Sequence, residues 1–432
     1  MSRTPESSIR CRVNSVFAGG LLALLLLNEA AAEPRPLKVF ILAGQSNMEG
    51  HATVDVMDYL ADDPVTAPLL ARMKNPDGTH RLIRNTWISF LTGTQGRIDA
   101  DNREVFGQLT TGYGSQGGRD YSQPGRKIGP ELAFGITLQD SLNEPILIIK
   151  TAWGGQSLHT DFRSPSSGPF VPTQEQLEKR FATDEQKREL TERTGRRYRQ
   201  MVAHVQHVLK DIKRIYPDYD TQQGYELSGF VWFQGFNDLV DRGVYPNREH
   251  PGGYRQYTAC LINLIRDIRQ DLDAPNMPFV IGVMGVGGPV DMVPERSRAA
   301  HQEFRLAMAR PAELPEFHGN VIAVQTAPFW DVALGEIDTR REQMRSKAHS
   351  LRTKNPQHEN ADGTMSADDI QNFMTRFEQQ LFNETERALE TRAKSNAGYH
   401  YLGSAKTYSQ IGQAFANALL TLLNDSEARD RP

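Results

Sequence analysis

Apolar residues in this chain come mostly in short unbroken runs rather than in alternation. The runs lie at 37–43, 86–90, 145–151, 229–233, 278–284 and 320–325. Continuous apolar strands are what a parallel sheet covered on both faces requires. Between the runs the spacing turns helical. Gly129-Pro130-Glu131 opens one helix, with Pro and Glu in its first turn. Amphipathic spacing predicts further helices over 198–216, 254–272 and 296–309. The last, 404–423, aligns Ile411, Phe415, Ala418 and Leu422 on one face. Strand and helix alternating in this way predict an α/β fold, a doubly wound parallel sheet of about five or six strands flanked by helices. Two polar stretches, at about 160–197 and 333–395, break the rhythm and read as insertions on one domain of residues 33–432.

The second stretch contains Asn360, Asp362, Gly363 and Asp369 at calcium-loop spacing. Position one would be His358, a poor calcium ligand. A turn at Asp362-Gly363 followed by a helix capped by Ser366 is the expected structure. No metal and no organic cofactor is expected.

The start of the chain differs in kind. Arg3, Arg10 and Arg12 precede an apolar core at 16–27 and a small-residue site at Ala30-Ala31-Ala32. That is the pattern of an export signal, too short for a membrane span. Residues 1–32 carry a net charge of +1 within a total of -4, leaving about -5 for the rest. This argues against a nucleic-acid partner, which usually needs a basic surplus. Of the two cysteines, Cys11 would leave with the signal and Cys260 would be alone, so no intramolecular disulfide forms. No Cys marks a lipid anchor at the cleavage site. The expectation is a periplasmic or secreted protein of bacterial type, with no particular oligomeric state favoured.

Candidate chemistry sits where strands stop. The run Val39-Phe40-Ile41-Leu42-Ala43 ends at Gly44, and Gln45-Ser46 follows. Open α/β sheets bind ligands at that carboxyl edge, so Ser46 is a candidate nucleophile if a base and an oxyanion hole come from elsewhere. After the third run, Trp153-Gly154-Gly155 offers backbone N–H groups that can approach a ligand closely. After the fourth, Gln234-Gly235-Phe236-Asn237-Asp238 places an Asn that can donate to an oxyanion, with Gln234 to position it or touch substrate. The alternative for that corner is a turn capping the next helix. His400, between Tyr399 and Tyr401 and just before the last helix, can reach across the same edge.

Taken in order, Gly44-Gln45-Ser46-Asn47-Met48, Gly154-Gly155, Gly235-Phe236-Asn237-Asp238 and the late His400 resemble the SGNH hydrolases. With Gly129-Pro130-Glu131 and Trp232-Phe233-Gln234-Gly235, the resemblance narrows to the sialate O-acetylesterase and acetylxylan esterase group, carbohydrate esterase family six. It covers about 37–160, 225–330 and 398–423.

The resemblance implies that Ser46 attacks an ester carbonyl and that His400 takes and returns the proton. It implies an oxyanion hole of the Ser46 N–H, a Gly154 or Gly155 N–H and the Asn237 side chain. Each such donor contributes about 3 kcal/mol. It also implies an acetylated carbohydrate as the substrate, with Gln45, Gln234 and Trp153 in contact with it and Trp153 or Phe236 as walls of a small acyl pocket.

One departure stands out. The group usually has Asp three residues before the histidine, and here that position is Ala397. The Ala397 carbonyl, the Asn396 side chain or the remote Asp331 would have to orient His400. The missing Asp motivates an alternative: a non-catalytic carbohydrate-binding protein on the same scaffold. A lipase or peptidase is disfavoured, since the chain has no long apolar lid helix. His159, Asp161 and Arg163 either bind sugar or form a solvated ion pair. The Gly-rich loop at 112–118, near Tyr113 and Tyr121, is either a substrate wall or a surface loop.

Overall fold

The computed structural model describes residues 35–93, 102–115 and 125–430. The proposed export signal, residues 116–118 of the Gly-rich loop and Tyr121 lie outside them.

The first strand, β1 (Leu37–Gly44), leads into a single turn, α1 (Ser46–Glu49), and a short strand, β2 (Ala52–Thr53). Then follow α2 (Ala67–Met73), β3 (Thr86–Thr92), β4 (Arg103–Gln108), β5 (Lys127–Ile128), α3 (Pro130–Leu142) and β6 (Ile146–Ala152). The first polar stretch folds into α4 (Gln174–Lys179) and α5 (Asp184–Arg193) and leads to α6 (Arg196–Lys210). Next come β7 (Tyr225–Phe233), α7 (Phe236–Val240), α8 (Arg255–Asp271), β8 (Phe279–Val283), α9 (Glu295–Ala309) and β9 (Val321–Gln325). The second polar stretch contributes α10 (Val332–Arg352), α11 (Ala367–Leu381) and α12 (Glu384–Ala393), and α13 (Ala405–Asp430) closes the described chain.

The main sheet has seven strands in the order β4-β3-β6-β1-β7-β8-β9. Every pairing is parallel except β3 with β4. Leaving out the β3–β4 edge, the remaining strands run 2-1-3-4-5, so the winding reverses between β1 and β7. Such a reversal opens a crevice at the carboxyl ends of the strands. Apolar burial explains why the central strands pair: all of β6 and all of β1 except Lys38 are buried. Helices α3 and α13 pack on each other and reach β6 and β7 to β9, while α6 and α9 reach β6 and β8.

Three elements differ from the sequence reading. Strand β4 was not expected, because only Val105 of its six residues is buried and the rest read as polar loop. Its exposed edge is tied down by Arg214, which holds Glu104 with two bonds of 2.8 Å. Helix α6 stops at Lys210, earlier than the pattern predicted, and a short 3-10 turn follows. Helix α13 runs on to Asp430.

Helices α10 to α12 are joined largely by ion pairs. Arg341 holds Glu378 and Glu390, Arg340 holds Glu386, and Lys394 holds Asp338. At the calcium-like spacing, Asn360 bonds the Leu351 carbonyl and the Met365 N–H, Asp362 accepts from Thr364, and Ser366 and Asp369 form a capping box. These side chains serve the turn and the helix cap. No metal-ligating cluster occurs among the described residues.

Candidate active site

Gly44 lies in register between Ala152 of β6 and Phe233 of β7. The loops after these three strands therefore leave one sheet edge side by side. A Cβ on Gly44 would come within 2.1 Å of the Phe233 carbonyl oxygen, so the crossing requires glycine. Backbone bonds lash the loops together, from Trp153 N to Gly44 O (3.2 Å) and from Gln45 N to Phe233 O (3.4 Å). Ser46 opens α1 and is nearly buried, at 5 % exposure. Its Oγ bonds to no described residue.

A polar network fixes the neighbouring loop. Gln45 Nε2 donates to Asn237 Oδ1 (3.0 Å), while Gln45 Oε1 accepts from Gly235 N (3.0 Å) and Gln234 Nε2 (3.2 Å). The Asn237 oxygen is thus occupied and its NH2 group remains as a donor. Gln234 Nε2 also donates to Gln156 O and to Asp238 Oδ2. Asp238 is fully buried and accepts from Leu158 N (2.8 Å), His159 N (3.2 Å) and Tyr245 Oη (2.9 Å) as well. Burial, followed by the Asp238 charge, holds the Tyr245 and Tyr257 hydroxyls well above their usual range.

The amides of the two expected substrate contacts are held by this network. Gln45 and Gln234 are both 2 % exposed and spend their amides on the scaffold. Asp238 was legible only as a turn residue, but it anchors the 157–159 loop to α7. Nothing in the local sequence signals that role beyond a carboxylate next to Asn237.

The glycine loop follows β6. Gly155 has φ +71°, a left-handed conformation that favours glycine. Trp153 is 1 % exposed, its indole N–H donates to Asn102 Oδ1 (3.0 Å), and Arg197 lies over its ring. The charges beyond it are not a solvated pair. Asp161 is buried, accepts from Ser157 N and Oγ, and pairs with Arg193; Arg163 donates to the carbonyls of His159, Ser167 and Gly168. His159 faces Asp241 at 3.3 Å and lowers that carboxyl to about 2. Tyr113 is buried and donates to Gln108 O, so it forms no surface wall. A cavity of about 140 Å³ borders Asn237 and is lined by Ser157, His159, Phe170, Arg180 and Arg193.

His400 sits on a strained segment. Tyr401 and Leu402 have φ +49° and +61°, values uncommon for residues with a Cβ. The strain is held by Tyr401 Oη, which accepts from Gly285 N and bonds Thr326, and by Leu402 O, which accepts from Ser395 N and Asn396 N. Asn47, next to Ser46, ties the two regions together: its Nδ2 donates to Tyr399 O (3.1 Å) and its Oδ1 accepts from Tyr408 Oη (3.0 Å).

His400 Nδ1 lies 2.9 Å from Asn396 Oδ1. Ala397 N donates to that same oxygen (2.8 Å), which identifies it as the acceptor. Nδ1 therefore carries the hydrogen, and Nε2 of the neutral ring has a free lone pair. Burial, then His51, then Lys127 push His400 down to about 3, so the ring is neutral at physiological pH. Asp331 is engaged elsewhere: it caps α10 at Leu334 N, accepts from Tyr59 Oη (2.8 Å) and faces Lys406. The sequence offered Asp331 and Asn396 alike; the structure puts Asn396 on His400 and Asp331 on Tyr59.

The fold is a mostly parallel α/β sheet flanked by helices, with Ser46 at the winding reversal. The chain belongs to the family described as carbohydrate esterase, sialic acid-specific acetylesterase, whose model matches residues 36–317. That match ends before the His400 segment. Among solved structures, a protein from Arabidopsis thaliana is 18 % identical, covering 67 % of this chain and 86 % of its own, with TM-score 0.35. A carbohydrate acetylesterase from Xanthomonas citri is 16 % identical over 66 % of this chain and 49 % of its own, TM-score 0.34. NanS is 15 % identical over 68 % and 78 %, TM-score 0.34. No curated protein matches the sequence. No helix among the described residues is long and apolar enough to cross a membrane.

Proposed function

We propose that this chain is an exported serine esterase that removes O-acetyl groups from carbohydrates through an acyl-enzyme. The observation that carries the reading is the pairing of Ser46 and the Asn237 amide on one sheet edge, with Asn47 tying the His400 segment to the serine turn. Ser46 Oγ attacks the acetyl carbonyl while His400 Nε2 takes its proton. The developing oxyanion is met by Asn237 Nδ2, the Ser46 N–H and an N–H of Gly154 or Gly155. His400 then protonates the departing sugar oxygen. Water, activated by the same nitrogen, releases acetate. Asn396 fixes the tautomer and plane of His400 but supplies no counter-charge, the division of labour known from Asn-containing triads. The start pattern at 1–32 supports export.

Acetate release from O-acetylated sialic acid, acetylated xylan and 4-nitrophenyl acetate tests the reading and orders the substrates. No release by a folded chain would favour the carbohydrate-binding alternative that Ala397 motivates. Asn237→Ala is expected to lower kcat about 100- to 1000-fold with little change in KM, because its amide acts on the oxyanion. Equal kcat in the two proteins would remove Asn237 from the oxyanion hole.

Tyr399 is 49 % exposed, 5.7 Å from the Phe236 ring, and beside His400. An open aromatic face suits the apolar side of a sugar ring. Tyr399→Ala should raise KM several-fold for acetylated glycans and leave 4-nitrophenyl acetate much less affected. Equal changes on both would refute the platform.

A further inference from the structure

A second histidine lies in the site and has no part in the steps above. The ring of His51 lies flat on that of His400, with centroids 3.8 Å apart and planes within 6°. His51 Nε2 is 3.7 Å from Glu49 Oε2 and bonds to no described residue. Glu49 is buried, its Oε1 accepts from Thr92 Oγ1 (2.8 Å), and His51 is its one ion-pair partner among the described residues.

Two imidazolium rings face to face repel strongly, so such a stack holds one proton readily and a second only against that repulsion. Glu49 adjoins the His51 ring and not that of His400. The surroundings of His400 favour its neutral form. Its Nδ1 meets a neutral amide, and Lys127 opposes a positive charge on it. Tyr399 meets it edge-on, Tyr408 bonds its carbonyl, and Asp338, beneath Gly398, is already paired with Lys394. No carboxylate among these is available to hold a proton on His400.

We propose that His51, held beside Glu49, is a positioning residue for His400: it clamps the ring plane by stacking and opposes a positive charge on the ring beneath it, so that His400 stays available as a base when the pH falls. This rests on the reading of His400 as the catalytic base.

The experiment compares the full-length chain with His51→Phe, which keeps a flat ring but cannot ionise, and with His51→Gln, which has neither property. The acid limb of the kcat/KM profile should move up by about one pH unit or more in both variants. His51→Gln should also lower kcat, because the ring plane is no longer clamped. Ring-nitrogen NMR titration of His400 should show the same upward shift without any turnover. An unchanged limb and an unchanged His400 titration in His51→Phe would overturn the proposal. A wild type that releases no acetate would overturn the esterase reading instead, and the NMR titration would still decide the role of His51.

Discussion

Ser46→Ala should lower kcat/KM for acetate release by about ten-thousand-fold or more and leave the fold intact. The two halves of that expectation have separate causes. The Ser46 hydroxyl bonds to no described residue, so its loss removes no interaction from the scaffold, and stability should change by about 0.5 kcal/mol or less. All of its value lies in attack, which no neighbouring group can take over. His400→Ala should fall to a similar level, and the double variant should fall no further, because a nucleophile and its base act as one unit. Fluorophosphonate labelling should disappear in Ser46→Ala and slow sharply in His400→Ala. Because burial, then His51 and Lys127, hold the His400 ring well below the usual imidazole range, the wild type should keep its base form well into the acid range, and its activity should decline only far below the usual imidazole pH. A Ser46→Ala protein that still releases acetate would move the nucleophile elsewhere.

The parts of this site that sequence made legible are those that depend on strand ends. Ser46, Gly154 and Asn237 each follow an apolar run, and adjacent parallel strands bring such ends together. Strand β4 escaped notice because an edge strand with one buried residue has no apolar signature. The inward turn of Gln45 was equally hidden, while for Gln234 positioning was one of two readings the sequence left open. An amide beside a nucleophile reads as a substrate contact until the buried Asp238 that recruits it is seen. The choice between Asn396 and Asp331 depends on distances between segments far apart in sequence, which no local pattern encodes. His51 was passed over for a similar reason: its importance comes entirely from the ring stacked upon it, which belongs to a residue near the other end of the chain.

The largest stability effect is expected at Lys150, where Lys150→Met should destabilise the protein by about 3–5 kcal/mol at neutral pH. Lys150 points from the centre of the sheet with no exposure at all, and so does its partner Glu131. The ammonium spends its three donors on Glu131 Oε2 (2.7 Å), Glu49 O (2.8 Å) and Tyr113 O (2.8 Å). The second oxygen of Glu131 accepts from Gly129 N (2.9 Å) at the start of α3. Every polar atom of the pair is satisfied, so the pair is tolerated in the core. Removing one member leaves the other buried without a counter-charge. Burial already raises the carboxyl of Glu131, and the attraction of Lys150, followed by backbone N–H bonds from Gly129 and from Glu131 itself, offsets part of that rise. Without Lys150 its folded value stands higher still above the unfolded one. A carboxyl raised in this way contributes stability below its unfolded value and loses it as pH climbs through the folded value. The deficit of Lys150→Met should therefore shrink as the pH falls towards the ordinary carboxylate range and widen at neutral pH, as read by denaturant midpoints across a pH series. Lys150→Met combined with Glu131→Gln should recover much of the loss. A single variant that unfolds like wild type at every pH would mean that water reaches the pair and that its burial does not govern the core. The consequence extends to function, because Glu49 O is the end of the serine turn, and releasing it loosens the segment that carries both Ser46 and His51.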